Sequence, residues 1–153
     1  MTKLSTLLAD GEFVQLAVGS CAAVVAVRGW RERSTALTPR EDVDRAVQRA
    51  LALADLDFGI AIRTAWCKRL TGRPGLFEIR FNGVRFYGGR AGRQSGPDQA
   101  VIVLVFAGAE QKSGRSGADA TELDTVERAI VAARARLEAT NVVAIGESRS
   151  KRK

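Results

Sequence analysis

The 153-residue chain contains no histidine. That absence excludes Ser-His-Asp and Cys-His triads, His-ligated zinc and any imidazole acid or base, so catalysis would rest on Lys, Arg, Tyr or carboxylates. Cysteine is nearly absent too. Cys21 and Cys67 are too few for a disulfide framework or a metal cluster, and two buried, reduced thiols in a cytoplasmic protein are expected. No carboxylate cluster has metal-ligand spacing, and neither a metal nor another cofactor is expected. Long hydrophobic runs are also missing. Leu16 to Val27 is apolar apart from Ser20, and Val18-Gly19-Ser20-Cys21 resembles a lipoprotein cleavage box. Asp10 and Glu12 fall where such a signal must be uncharged, Lys3 is a thin positive start, and the run is too short to span a bilayer. A buried strand is the better reading, and no membrane partner is expected.

What is present describes one soluble globular domain: 46% of residues are apolar and 27% charged, enough for one sizeable core. Lys and Arg number 24 against 17 Asp and Glu, a net charge of +7 that makes an anionic partner the first expectation. The surplus is local. Residues 63–93 carry eight basic side chains and a single acidic one, Glu78, whereas the first 62 residues are close to neutral. The last seven residues, with Arg149, Lys151, Arg152 and Lys153, read as a solvated basic tail without structure.

Thr38-Pro39-Arg40-Glu41 predicts a helix start, with Thr38 as cap, Pro39 at the first helical position and Glu41 completing a capping box. The helix is expected from Pro39 to about Leu56, its stripe of Val43, Ala46, Val47, Ala50, Leu51 and Ala54 facing the core and Gly59 stopping it. A second helix is expected from about Thr121 to Ala139, with Thr121 and Asp124 in capping-box spacing and Leu123, Val126, Ile130, Ala133 and Leu137 on one face. Ala100 to Ala107 reads as a strand covered on both faces. The glycine-rich stretches beside it, Gly88 to Pro97 and Gly108 to Ala120, lack the GK[ST] of a phosphate loop.

The segment with most information is a hairpin. Leu76 to Phe81 alternates with period two, Asn82-Gly83 is a two-residue turn signal, and Val84 to Tyr87 resumes the alternation. A two-residue loop sets Phe81 opposite Val84, Arg80 opposite Arg85, Ile79 opposite Phe86 and Glu78 opposite Tyr87. Phe77, Ile79, Phe81, Val84 and Phe86 then share an apolar face, and Glu78, Arg80, Arg85 and Tyr87 a polar one. Two opposed arginines repel unless an anion sits between them. Glu78 could serve, in a structural ion-pair cluster. One carboxylate does not neutralise Arg80 and Arg85 together with Arg63, Lys68, Arg69, Arg73, Arg90 and Arg93, so a phosphate-binding face is the economical alternative. Tyr87 would stack on a base, donate a hydrogen bond or exchange a proton if nearby cations lowered its pKa; core packing is the other reading.

Lys68-Arg69-Leu70-Thr71-Gly72, Leu76-Phe77-Glu78-Ile79-Arg80, Val84-Arg85-Phe86-Tyr87, the apolar strand ending in Phe106, and Gln111-Lys112 before an Ala/Arg-rich helix together resemble the RelE/ParE toxin superfamily, in its phage-derived HigB-like branch. The resemblance covers about residues 36–139. It implies a compact α+β domain: a small, twisted, mostly antiparallel sheet packed with an N-terminal helix or helical hairpin and a C-terminal helix. The domain would span 36–146, with residues 1–35 as an extension supplying an edge strand. The resemblance further implies the toxin of a toxin–antitoxin pair, a metal-independent endoribonuclease that cuts mRNA on the translating ribosome and is held by a cognate antitoxin. Arg80 and Arg85 would stabilise the phosphate's developing charge, and Tyr87 or Lys112 would move protons. The family usually places two basic residues where Gly108 and Ala109 stand, and Ser113-Gly114 replaces its Thr-Pro. The same basic face therefore also suits a module that binds RNA, ribosome or an acidic antitoxin segment without chemistry; a ParE-like gyrase inhibitor is a third reading.

Overall fold

The computed structural model describes residues 7–19, 22–61, 67–70, 72–73, 75–95, 100–111 and 119–152; for 55–61, 68, 93–95, 100–101 and 138–152 the backbone alone is described. Six strands form one sheet: β1 (Phe13–Val18), β2 (Ala22–Val27), β3 (Cys67–Arg69), β4 (Leu76–Phe81), β5 (Val84–Ser95) and β6 (Ala100–Gln111). Their spatial order is β1-β2-β6-β5-β4-β3. Only β2 and β6 run parallel. Three helices pack with it: α1 (Trp30–Thr35), α2 (Arg40–Ala61) and α3 (Ala120–Arg152); Leu7 and Leu8 are also helical. The architecture is α+β with a mostly antiparallel sheet, as expected.

Each face of the sheet has its own core. On one, Val24, Phe77, Ile79, Phe86, Leu104 and Phe106 pack against Trp30 of α1 and the stripe Val43, Ala46, Val47, Ala50 and Ala54 of α2. On the other, Val25, Leu76, Tyr87, Val103 and Val105 meet Leu123, Val126, Ile130, Ala133 and Leu137 of α3. The period-two strands and 3.6-period helices thus bury the faces their patterns designate. Trp30, fully buried, stacks on Phe106 at 4.6 Å, meets Phe86 edge-on and donates its indole N–H to the Gly108 carbonyl at 3.0 Å.

The hairpin has the expected register, residue for residue. Asn82 (φ 48°) and Gly83 (φ 80°) both take the left-handed conformation that its tight turn requires. Asn82 donates to the Asp42 carboxylate at 3.0 Å, and the Thr38 hydroxyl donates to the same oxygen at 2.7 Å. These bonds tie the turn to the first turn of α2. They also hold the Asp42 carboxyl below its ordinary range, Asn82 having the larger effect.

Several boundaries differ from expectation. The apolar run from Leu16 is two strands, because the chain turns back on a Gly19 N–H to Ala22 O bond of 2.8 Å and pairs β1 with β2. β1 is the expected edge strand, while β2 is interior. The cap partner of Thr38 is Asp42 rather than Glu41, and α2 runs on to Ala61. Asp119, not Thr121, caps α3, accepting from the backbone N–H groups of Thr121 at 2.8 Å and Glu122 at 3.3 Å. The backbone of α3 continues to Arg152, through most of the basic segment read as a tail. β6 extends past Ala107 to Gln111, and the first glycine-rich stretch is strand as far as Ser95. Glycine is needed there: a Cβ at Gly88 would overlap the Val105 carbonyl oxygen on β6 and lie 3.0 Å from Phe77.

Candidate functional site

Cross-strand partners share a face, and the register lays two rows of polar residues side by side on the face that α3 packs against. One row is Arg80–Arg85–Glu110 across β4, β5 and β6; the next is Lys68–Glu78–Tyr87–Gly108 across β3 to β6. The opposition of the two arginines is resolved by two carboxylates. Arg80 donates its Nε–H to Glu78, the adjacent same-face residue of its own strand. Arg85 Nη1 lies 3.7 Å from Glu110, directly across the β5–β6 ladder. The Tyr87 hydroxyl donates to the same Glu110 oxygen at 2.5 Å, and the Asp119 backbone N–H reaches that carboxylate at 3.2 Å from just before α3. Strand register, a helix terminus and a phenol therefore all orient Glu110.

Most of this cluster is closed off. Glu78 is 2% exposed, Arg85 7% and Tyr87 not at all. What solvent reaches is the Arg80 side chain, about one-third exposed, and part of Glu110. Burial, reinforced by the hydrogen bond to Glu110, pushes the Tyr87 hydroxyl well above the usual tyrosine range. This reverses the expected lowering by cations, because the carboxylate that accepts the phenolic proton outweighs Arg85. Burial opposes the charge on Arg85, yet the hydrogen bond it donates to the Tyr87 oxygen and the charges around it, Glu78 and Glu110 included, raise its pKa and hold the guanidinium protonated.

The remaining expected residues do not join the cluster as a set. Arg69 is exposed on the edge strand β3. Arg73 bonds Asp124 of α3 at 2.6 Å, and Arg90 is half-buried on β5, its carbonyl accepting from Arg134 at 3.1 Å. Lys68 and Arg93 are placed on β3 and β5 by backbone alone, and Arg63 and Lys112 lie outside the described residues. Gly108 stands beneath α3: a Cβ there would lie 2.6 Å from Val126 Cγ2 and 2.8 Å from the Glu122 carboxylate, which leaves no room for a basic side chain. Ala109 packs on the opposite face of the sheet, and its backbone N–H donates to the Glu122 carboxylate at 2.9 Å.

Glu110 is the residue of the cluster that sequence reasoning missed. Its signal lay in the continuation of β6 beyond Ala107, which would have placed it opposite Arg85. Cys67 is buried, its thiol pushed up to about 12 by desolvation and then by Glu78, which leaves it inert as a nucleophile. Among the described residues no group of His, Cys, Asp and Glu could hold a metal ion, and no helix is long and apolar enough to cross a membrane. No family model, curated protein or solved structure matches the chain.

Proposed function

We propose that the protein is a toxin of the RelE/ParE kind that cuts mRNA at the ribosome, with Arg80, Arg85, Tyr87 and Glu110 as its reactive centre. The observation that carries this reading is the convergence on Glu110 of the Arg85 guanidinium, the Tyr87 hydroxyl and the Asp119 N–H. Metal-independent cleavage needs a base for the ribose 2′-hydroxyl, a cation for the phosphate and a proton for the leaving oxygen. Glu110 takes the 2′-hydroxyl proton as the 2′-oxygen bonds to phosphorus, and Arg80 stabilises the charge on the phosphate oxygens. The 5′-oxygen leaves with a proton from Lys112, giving a 2′,3′-cyclic phosphate and a 5′-hydroxyl. Arg85 and Tyr87 position Glu110.

A second reading has its own support. Gly108 is sealed under α3, Tyr87 is buried with its proton held, and both arginines of the cluster have carboxylate partners. These features suit a module that binds RNA, the ribosome or an acidic antitoxin segment without cutting. One experiment separates the two: add the protein to a defined translation reaction, with and without ribosomes, and map new mRNA 5′ ends by primer extension. Cuts that need ribosomes and vanish in Glu110→Gln and Arg80→Ala are expected. Intact mRNA in a reaction whose translation is blocked would overturn the nuclease and leave the binding module.

A further inference from the structure

We infer that β1 is an interface strand on which a second copy of this chain pairs antiparallel, about a two-fold axis through Val14. The two edges of the sheet are β1 and β3, and they are unlike. β3 is three residues long and carries Lys68 and Arg69, the short and charged form that keeps an edge from pairing. β1 has six residues with neither a charge nor a proline, and no strand among the described residues pairs with its outer side. The exposed large apolar side chains among the described residues are Val14 (45% exposed), Val18 (54%) and Val131, so two of the three lie on this strand. The β1–β2 ladder settles which backbone groups face outward. The Arg28 N–H donates to Glu12 O at 2.9 Å, which makes Glu12 and Arg28 a hydrogen-bonded pair. Such pairs alternate along an antiparallel ladder, so Phe13 and Gln15 turn their N–H and C=O groups away from β2. Leu16 is the extra residue of the bulge between Gln15 and Ala17, and regular pairing stops there.

These constraints select a register. Phe13 of one copy stands opposite Gln15 of the other, twice by symmetry, and each pair exchanges its main-chain hydrogen bonds. Val14 then meets Val14 of the second copy in the close, non-hydrogen-bonded pair, with Cβ atoms about 4.5–5.5 Å apart. Val14 pairs with Ala26, which belongs to the core beneath α2, so both valines lie on the α2 side and the apolar layer continues across the axis. Charge distribution argues for a second copy as the occupant. A chain of net charge +7 repels its own copies, yet the surplus lies in residues 63–93, which supply β3 to β5, while the first 62 residues are close to neutral. At β1 the carboxylates of Asp10 and Glu12 pair with Arg136 at 2.7 Å and 2.6 Å. β5 is three strands from β1, so in the pair the two β5 strands stand about 34 Å apart, several Debye lengths. A parallel pairing would instead set Glu12 beside its own copy. The Arg80–Glu110 cluster lies on β4 to β6, away from the axis, so the pairing does not depend on the function proposed above.

The test is sedimentation equilibrium of the full chain at concentrations up to about 1 mM, where an interface of the small, transient class still associates. A monomer–dimer equilibrium is expected, and raised salt should not weaken it, because screening only removes the mutual repulsion of the two copies. Gln15→Pro removes an outward donor from both hydrogen-bonded pairs while leaving the ladder to β2 intact, and should raise the dimer dissociation constant about tenfold or more. Val14→Lys sets two like charges on the axis and should abolish the dimer, whereas Val131→Lys, a comparably exposed change on α3, should leave it. Thermal melts identify a variant that fails to fold, and the other variant then decides. Val14→Cys should cross-link under mild oxidation well above the background set by the wild-type cysteines. A wild type that stays monomeric at every concentration, or a dimer that survives both Val14→Lys and Gln15→Pro, would overturn the pairing. So would a dimer in which Val14→Cys does not cross-link, or an association that rising salt abolishes, which would belong to charged groups elsewhere on the surface.

Discussion

Replacing Glu110 with Ala removes the acceptor on which the buried part of the cluster depends. Tyr87 has no exposure, and its hydroxyl donates to Glu110 at 2.5 Å; without that oxygen a buried donor loses its partner, at about 1–3 kcal/mol. Arg85 loses the carboxylate 3.7 Å away, and breaking a buried pair costs about 3–5 kcal/mol when nothing replaces it. Here Glu78 still faces Arg85 and the Glu110 side chain is itself 21% exposed, so the two losses overlap and the total falls to about 3 kcal/mol. For a chain of this size that lowers Tm by about 6–12 °C. Glu110→Gln keeps an amide oxygen to accept from Tyr87 and should cost about 1 kcal/mol. Tyr87→Phe combined with Glu110→Ala should lose about 1–2 kcal/mol less than the sum of the single variants, because the same bond is removed twice. Urea unfolding of the wild type and these four variants measures all of these. A Glu110→Ala protein within about 1 kcal/mol of wild type, with additive double-variant losses, would refute the closed network.

Gly88→Ala should destabilise by about 3 kcal/mol, since its Cβ collides with a β6 carbonyl oxygen that the ladder holds in place; a Tm within 2 °C of wild type, about 1 kcal/mol or less, would contradict that contact. Gly108→Lys should unfold part of the α3 packing, because the new side chain collides with Val126 and Glu122, with near-ultraviolet circular dichroism reporting the loss. Asp42→Asn probes acid stability. The Asp42 pKa is depressed in the fold from its usual 3.8, so its contribution is fully present above pH 3.8 and lost as pH falls through the folded value. The wild-type advantage over Asp42→Asn should therefore shrink only below about pH 4, and an advantage constant down to the folded pKa would contradict the assignment. If mRNA is cut, the rate should show no alkaline limb from Tyr87 below pH 10, because burial moves that phenol upward from 10.0; a limb below pH 10 lost in Tyr87→Phe would contradict it.

The hairpin was legible because two independent signals, period-two alternation and Asn82-Gly83, specify one register, and a slip of one residue would turn Ile79 and Phe86 out of the core. The stripes of α2 and α3 were legible for the same reason. Glycine misled in β5: its weak strand preference suggests a loop, whereas Gly88 and Gly89 let the strand approach Val105 and Gly75 closely. The turn between β1 and β2 was hidden in a run whose hydropathy scarcely dips. The polar face was identified correctly, but its burial depended on where α3 docks, which no local pattern encodes. Glu110 was missed on that account, since a strand ended at Ala107 has no residue opposite Arg85.

What the polar face of the hairpin can do follows from its counter-charges. In the cluster each arginine faces a carboxylate, so a phosphate arriving there competes with Glu78 and Glu110 and gains little ground-state affinity. What the cluster retains is an oriented carboxylate in the same cross-strand row as a partly exposed guanidinium, with Arg85 between them, an arrangement that acts on a transition state more than on a bound strand. Under the proposed activity, Glu110→Gln should then lower kcat for ribosome-bound mRNA with KM retained. A raised KM with kcat retained would instead make the cluster a binding site for the strand and remove Glu110 from the chemistry.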